Sequence, residues 1–74
     1  MMDELIDKLK TALEEEKEDA EKYMGMAATA EEKFPGAGYD GILRDIAREE
    51  MKHHKHLQEI IHDMRKNADT GQED

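Results

Sequence analysis

The chain has 74 residues, a formal net charge of −9 and no cysteine. A domain of this length buries a thin core, and without thiols neither a disulfide nor a thiolate metal site can reinforce it. The acidic surface repels a phosphate backbone, which excludes nucleic acid as a partner.

Residues 2–33 contain no proline and one glycine, Gly25, and are dominated by Leu, Glu, Lys, Ala and Met. These are good helix formers, so a first helix is predicted over about residues 3–33. Within it Ile6, Leu9, Leu13, Glu16, Ala20, Tyr23, Ala27, Ala30 and Phe34 recur at alternating steps of three and four. That is the spacing of one buried stripe, and Glu16 is its only charged member. Glu14, Glu15, Glu18 and Glu21 fall outside the stripe as a solvated acidic surface, with pairs such as Glu18–Lys22 at i,i+4. Gly25 in mid-helix costs about 1 kcal/mol relative to alanine and reads as room for a close neighbour, as room for a ligand channel, or as incidental.

The stretch FPGAGYDG, from Phe34 to Gly41, supplies Pro35, Gly36 and Gly38 and is the only strong punctuation in the chain. It predicts a turn over residues 34–40. No strand precedes it and no Lys-Ser/Thr pair follows it, so it does not read as a phosphate-binding loop. Asp40 is placed to cap a second helix over about residues 41–67. The hairpin domain is thus residues 1–68, and the polar end, 69–74, is expected to be flexible.

Two stripes fit the second helix. One runs Leu43, Ile46, Glu50, His53, Leu57, Ile60, Met64; the other runs Leu43, Ala47, Glu50, His54, Leu57, Ile61, Met64, Ala68. Both contain Glu50, and the apolar face is wide enough to touch two neighbouring helices. A lone hairpin cannot cover two such stripes. The expected fold class is all-α: an antiparallel helical hairpin that pairs as a homodimer into a four-helix bundle.

A carboxylate on a buried seam must be paired, protonated or bound to a cation. A two-fold dimer gathers two copies of Glu16, two of Glu50 and two of one histidine. Two divalent cations balance four carboxylates, and oxygen with imidazole donors suits iron, manganese or zinc. Periodicity leaves both His53 and His54 open as the imidazole, while His56 and His62 fall off both stripes. Without metal, Glu16 would serve as a polar residue fixing register, and Glu50 and His53 would pair with each other or across helices.

The segment EKEDAEKYMGMA, carrying Glu16 and Tyr23, and the segment IAREEMKHH, carrying Glu50-Met51-Lys52-His53, resemble one half of a rubrerythrin of the ferritin-like superfamily. Each helix pair of that family contributes a Glu from one helix and a Glu-x-x-His from the other. The resemblance implies that a dimer of this chain completes a site for two iron ions, with manganese or zinc fitting the same donors. It implies Glu16 as a terminal ligand, Glu50 as a bridging carboxylate and His53 as the nitrogen ligand. It also implies Tyr23 as an orienting neighbour and Asp19 as a further carboxylate, a weaker candidate, as is His54. The implied chemistry is ferrous oxidation or peroxide reduction, with dioxygen or peroxide as oxidant. The alternative is a zinc- or manganese-stabilised interaction module without redox activity. With no cysteine for a rubredoxin-type centre, electrons must come from iron itself or an external donor. Iron storage would need a higher assembly or a shell protein. No stretch is apolar enough to span a membrane, and the start, MMDELIDKLK, lacks the pattern of a signal peptide, so the expected setting is the cytoplasm.

Overall fold

A computed structural model of the protein describes residues 2–69. Among them the chain forms two helices, α1 (Met2–Lys33) and α2 (Tyr39–Asp69), packed against each other as a hairpin about 57 Å long and 15 by 11 Å across. α1 begins with acidic Asp3 and Glu4 and ends with basic Lys33, each of the sign that opposes the helix dipole at its end. The second helix ends at Asp69, two residues beyond the expected limit and one residue into the end expected to be flexible, 69–74; the rest of that end, 70–74, lies outside the described residues.

The turn is shorter than the sequence suggested. Only residues 34–38 connect the helices. Phe34 N–H still donates to the Ala30 carbonyl at 2.8 Å, and Ala37 N–H donates to Phe34 at 3.2 Å. Gly36 and Gly38 then take φ of 81° and 86°, the left-handed region that glycine enters without steric cost. The Gly38 carbonyl accepts from Ile42 N–H at 3.3 Å. The helix has therefore already begun when the chain reaches Asp40, which lies in its first turn rather than capping it. There Asp40 accepts a hydrogen bond from Arg44 at 2.7 Å, and Arg44 also donates to Glu31 of α1 at 3.0 Å. Arg44 ties the two helices together next to the turn. Glu31 first, then Asp40, holds its guanidinium more firmly charged.

The core is made of small residues. Ala20 and Ala27 of α1 and Ala47 and Ile61 of α2 are buried, and no larger side chain among the described residues is fully enclosed. The α1 stripe from Ile6 to Ala30 is buried or half-buried throughout, as its spacing predicted. Phe34 departs from it. The helix ends one residue earlier, so its ring stands exposed in the turn, edge-on to Tyr39 with centroids 5.7 Å apart.

On α2 the two stripes separate. Ala47, His54 and Ile61 turn towards α1, whereas His53 and Ile60 of the alternative stripe stay exposed. No helix among the described residues is long and apolar enough to cross a membrane.

Candidate metal centre

Glu16 projects from the middle of α1, and Glu50 and His53 from one turn of α2. Glu50 and His53 are three positions apart, so the helix places them on neighbouring lines of one face. Their ligand atoms and that of Glu16 all lie within 4.8 Å of one another. Glu16 Oε2 is 2.8 Å from His53 Nδ1, and Glu50 Oε1 is 3.6 Å from the same nitrogen. Both carboxylates are largely covered, with side chains 21% and 18% exposed, while the His53 side chain is 54% exposed. The group is closed towards the hairpin and open on the flank that carries His53.

The electrostatics follow from this crowding. Two carboxylates cannot both stay charged side by side without cost. Glu50 is the one whose pKa rises. Its carboxyl donates a hydrogen bond to Glu16, it is partly desolvated, and the negative charges of Glu16 and Asp19 add to the shift; His53 works weakly in the other direction. With no cation to balance the group, Glu50 binds a proton more tightly than an isolated glutamate does.

The other candidates lie around this group rather than in it. Asp19 is close enough to press on Glu50 electrostatically, but its side chain pairs with Lys22 at 4.0 Å. That pair stands where the sequence suggested Glu18–Lys22. Tyr23 is half-buried on the stripe one heptad from Glu16, and its hydroxyl has no protein hydrogen-bond partner among the described residues. His54 is half-buried and outside the ligand group, and His56 and His62 are exposed. Arg44 escaped sequence reasoning: its i,i+4 relation to Asp40 was legible, but its link to Glu31, 13 residues away, exists only in the fold.

Two oxygen donors and one nitrogen donor at this spacing suit a divalent cation of the first transition row. The raised Glu50 pKa is the response expected of a donor set short of positive charge, so the residues present fit such an ion. A helical hairpin presenting a carboxylate–carboxylate–imidazole group has the donor set for a metal ion and is consistent with a ferritin-like protein. The chain matches the rubrerythrin family over residues 7–74 and belongs to that family, which implies iron binding. No curated protein and no solved structure matches it.

Proposed function

We propose that two copies of this hairpin form a four-helix dimer holding two iron ions between them, and that this centre oxidises ferrous iron or reduces peroxide. The observation that carries the proposal is the convergence of Glu16, Glu50 and His53 within 4.8 Å, in a member of the rubrerythrin family. In this reading Glu16, Glu50 and His53 of each chain would hold the ions.

Two physical arguments support the second copy. A compact monomer of this mass would expose about 4,700 Å², and this hairpin exposes 5764 Å². The difference of roughly 1,000 Å² is of the order that one partner loses in a standard interface. The exposure is also placed where a partner is needed. Ile42, His53 and Ile60 fall within about 20° of one line along α2, given 3.6 residues per turn, and both isoleucines are exposed. A copy seated on this flank would cover them and bring its own three donors to the open side of the group.

The residues then divide the work. Glu16 and Glu50 from both chains supply four negative charges, which match two divalent cations. A cation competes with the proton that Glu50 holds more tightly than an isolated glutamate, so loading is favoured as pH rises. His53 Nδ1 supplies the nitrogen donor, Asp19 borders the group from α1, and Tyr23 lies one heptad from Glu16 on the same stripe. When bound, the iron pair supplies two electrons together, so that dioxygen or peroxide need not be reduced one electron at a time. The chain has no cysteine to relay electrons, and they come from ferrous iron as substrate or from an external donor. We place the protein in the cytoplasm, and a storage role would call for a larger assembly or a shell.

The test is an anaerobic ferrous titration followed by oxygen. Saturation at two irons per dimer, with an oxidation spectrum on aeration, is the expected result. Protein that takes up only zinc or manganese, forms a stable dimer and shows no oxidation would establish the structural-module reading instead.

A further inference from the structure

The hairpin has a second apolar flank, opposite the one that opens on His53. Its floor is Ala20 and Met24 of α1 with Ala47 and Met51 of α2, and it forms a shallow groove of about 730 Å³. Met24 and the first-flank Met26 project about 200° apart around α1 at 3.6 residues per turn, so the two flanks face away from each other. The groove shares no residue with the metal group.

The rim distinguishes this flank. Lys17, Arg48, Lys52 and Lys55 surround the two methionines, with Glu21 the only acid. Four of the 11 Lys and Arg of a chain with net charge −9 are therefore collected here. Arg48 and Lys52 reach Asp45 and Glu49, neither of which lines the groove. Lys17 and Lys55 have no ion-pair partner among the described residues.

This charge pattern decides which flank suits self-pairing. Two copies of the groove placed face to face would oppose eight cations, four of them paired with Asp45 and Glu49 on their own helix, with only two copies of Glu21 between them. Like-charge juxtaposition at an interface is strongly unfavourable. The groove near the turn on the other flank, floored by Met26, Phe34 and Ile42, carries only Lys22 and Lys33. A two-fold partner belongs there, next to Glu16, Glu50 and His53. The cation-rimmed groove calls for an occupant with apolar side chains to meet Met24 and Met51 and carboxylates to meet the rim. Methionine suits such a floor, because its flexible thioether repacks around different apolar anchors.

We propose that the Met24–Met51 groove docks an acidic amphipathic helix of another protein. The probe is a fluorescein-labelled helical peptide of Glu and Leu with Leu at i, i+3, i+4 and i+7, compared with its Lys-for-Glu counterpart and a scrambled Glu/Leu peptide. Fluorescence anisotropy with the full chain should give saturable binding of the acidic peptide, at least about tenfold tighter than either control, and weakening as salt shortens the Debye length. Met51→Glu should weaken binding by about tenfold or more, as expected for an interface anchor. Arg48→Glu/Lys52→Glu/Lys55→Glu should reverse the preference to the Lys peptide. If Met51→Glu lowers helicity by circular dichroism, Lys55→Glu alone, at an exposed position, provides the variant and should weaken binding of the acidic peptide. Equal binding of the three peptides, no binding of the acidic one, or indifference to these substitutions would overturn the proposal. So would a particle larger than a dimer that Met51→Glu reduces to dimers, because the occupant would then be a second copy. Metal content is read in parallel and should not change, since the groove and the metal group are separate.

Discussion

Glu16 of α1 and His53 of α2 meet across the hairpin, Oε2 to Nδ1, at 2.8 Å, although they are 37 positions apart in the sequence, with the turn and parts of both helices between them. Glu50, one turn from His53, completes the group at 3.6 Å. His54, the immediate neighbour of His53, is more covered yet stays outside the group. Burial and ligand geometry therefore select different histidines.

That difference gives the sharpest test of the site. His53→Ala should abolish binding of two metal ions per dimer, and His54→Ala should leave the stoichiometry intact. Elemental analysis after anaerobic loading with ferrous iron measures both. Loss of metal in His54→Ala with retention in His53→Ala would reassign the nitrogen ligand.

The raised Glu50 pKa makes the metal-free protein depend on pH in a defined direction. A carboxyl whose pKa is raised by folding binds its proton more tightly in the native state, so its stabilising contribution is complete below the ordinary value of about 4.3. It is lost as pH rises through the raised value. Urea denaturation of metal-free protein should show wild type losing stability between acidic and neutral pH, relative to Glu50→Gln, whose curve is flatter. Metal affinity should run the opposite way, rising with pH as Glu50 gives up its proton. Proton release on metal addition in weak buffer provides the independent check.

Assembly should be visible in the concentration dependence of unfolding. If the flank carrying Ile42, His53 and Ile60 is covered by a second copy, the melting temperature rises with protein concentration. Ile60→Glu should raise the dimer dissociation constant by tenfold or more, about the effect of losing an interface anchor. Metal present at a thousandfold excess over its dissociation constant should stabilise the folded dimer by about 4 kcal/mol. Sedimentation equilibrium and thermal melts with and without metal measure these effects.

Gly25 reports on the same flank. A methyl group placed on it meets nothing within 4 Å in the hairpin, and the residue sits in regular helix. In the hairpin alone Gly25→Ala should therefore be stabilising by about 0.5–1 kcal/mol, and the same gain in the dimer would show that the partner leaves room at this position. Destabilisation, measured by denaturant titration, would show that a second copy packs its backbone against this position.

Much of the fold was legible from spacing alone. Alternating steps of three and four from Ile6 to Ala30 marked the inner face of α1, because a helix returns to the same side every 3.6 residues whatever its neighbours. Glu16 and Glu50 stood out for the same reason, as carboxylates on faces that are otherwise apolar. The Glu50–His53 spacing resembled a family motif, and the family match is now plain.

Other features depended on three dimensions. Asp40 looked like a cap, but Gly38 at positive φ started the helix two residues earlier, a choice of backbone conformation that residue order does not reveal. Phe34 continued the numerical pattern after the helix that gave the pattern meaning had stopped. Two overlapping stripes on α2 were equally periodic, and only packing against α1 turned Ala47, His54 and Ile61 inward and left His53 and Ile60 outward. The sequence by itself determined which residues share a helical face, because that is a local property of the backbone. The tertiary structure decided which face meets which, and so brought Glu16 to His53, because contacts between distant residues arise only when the two helices dock.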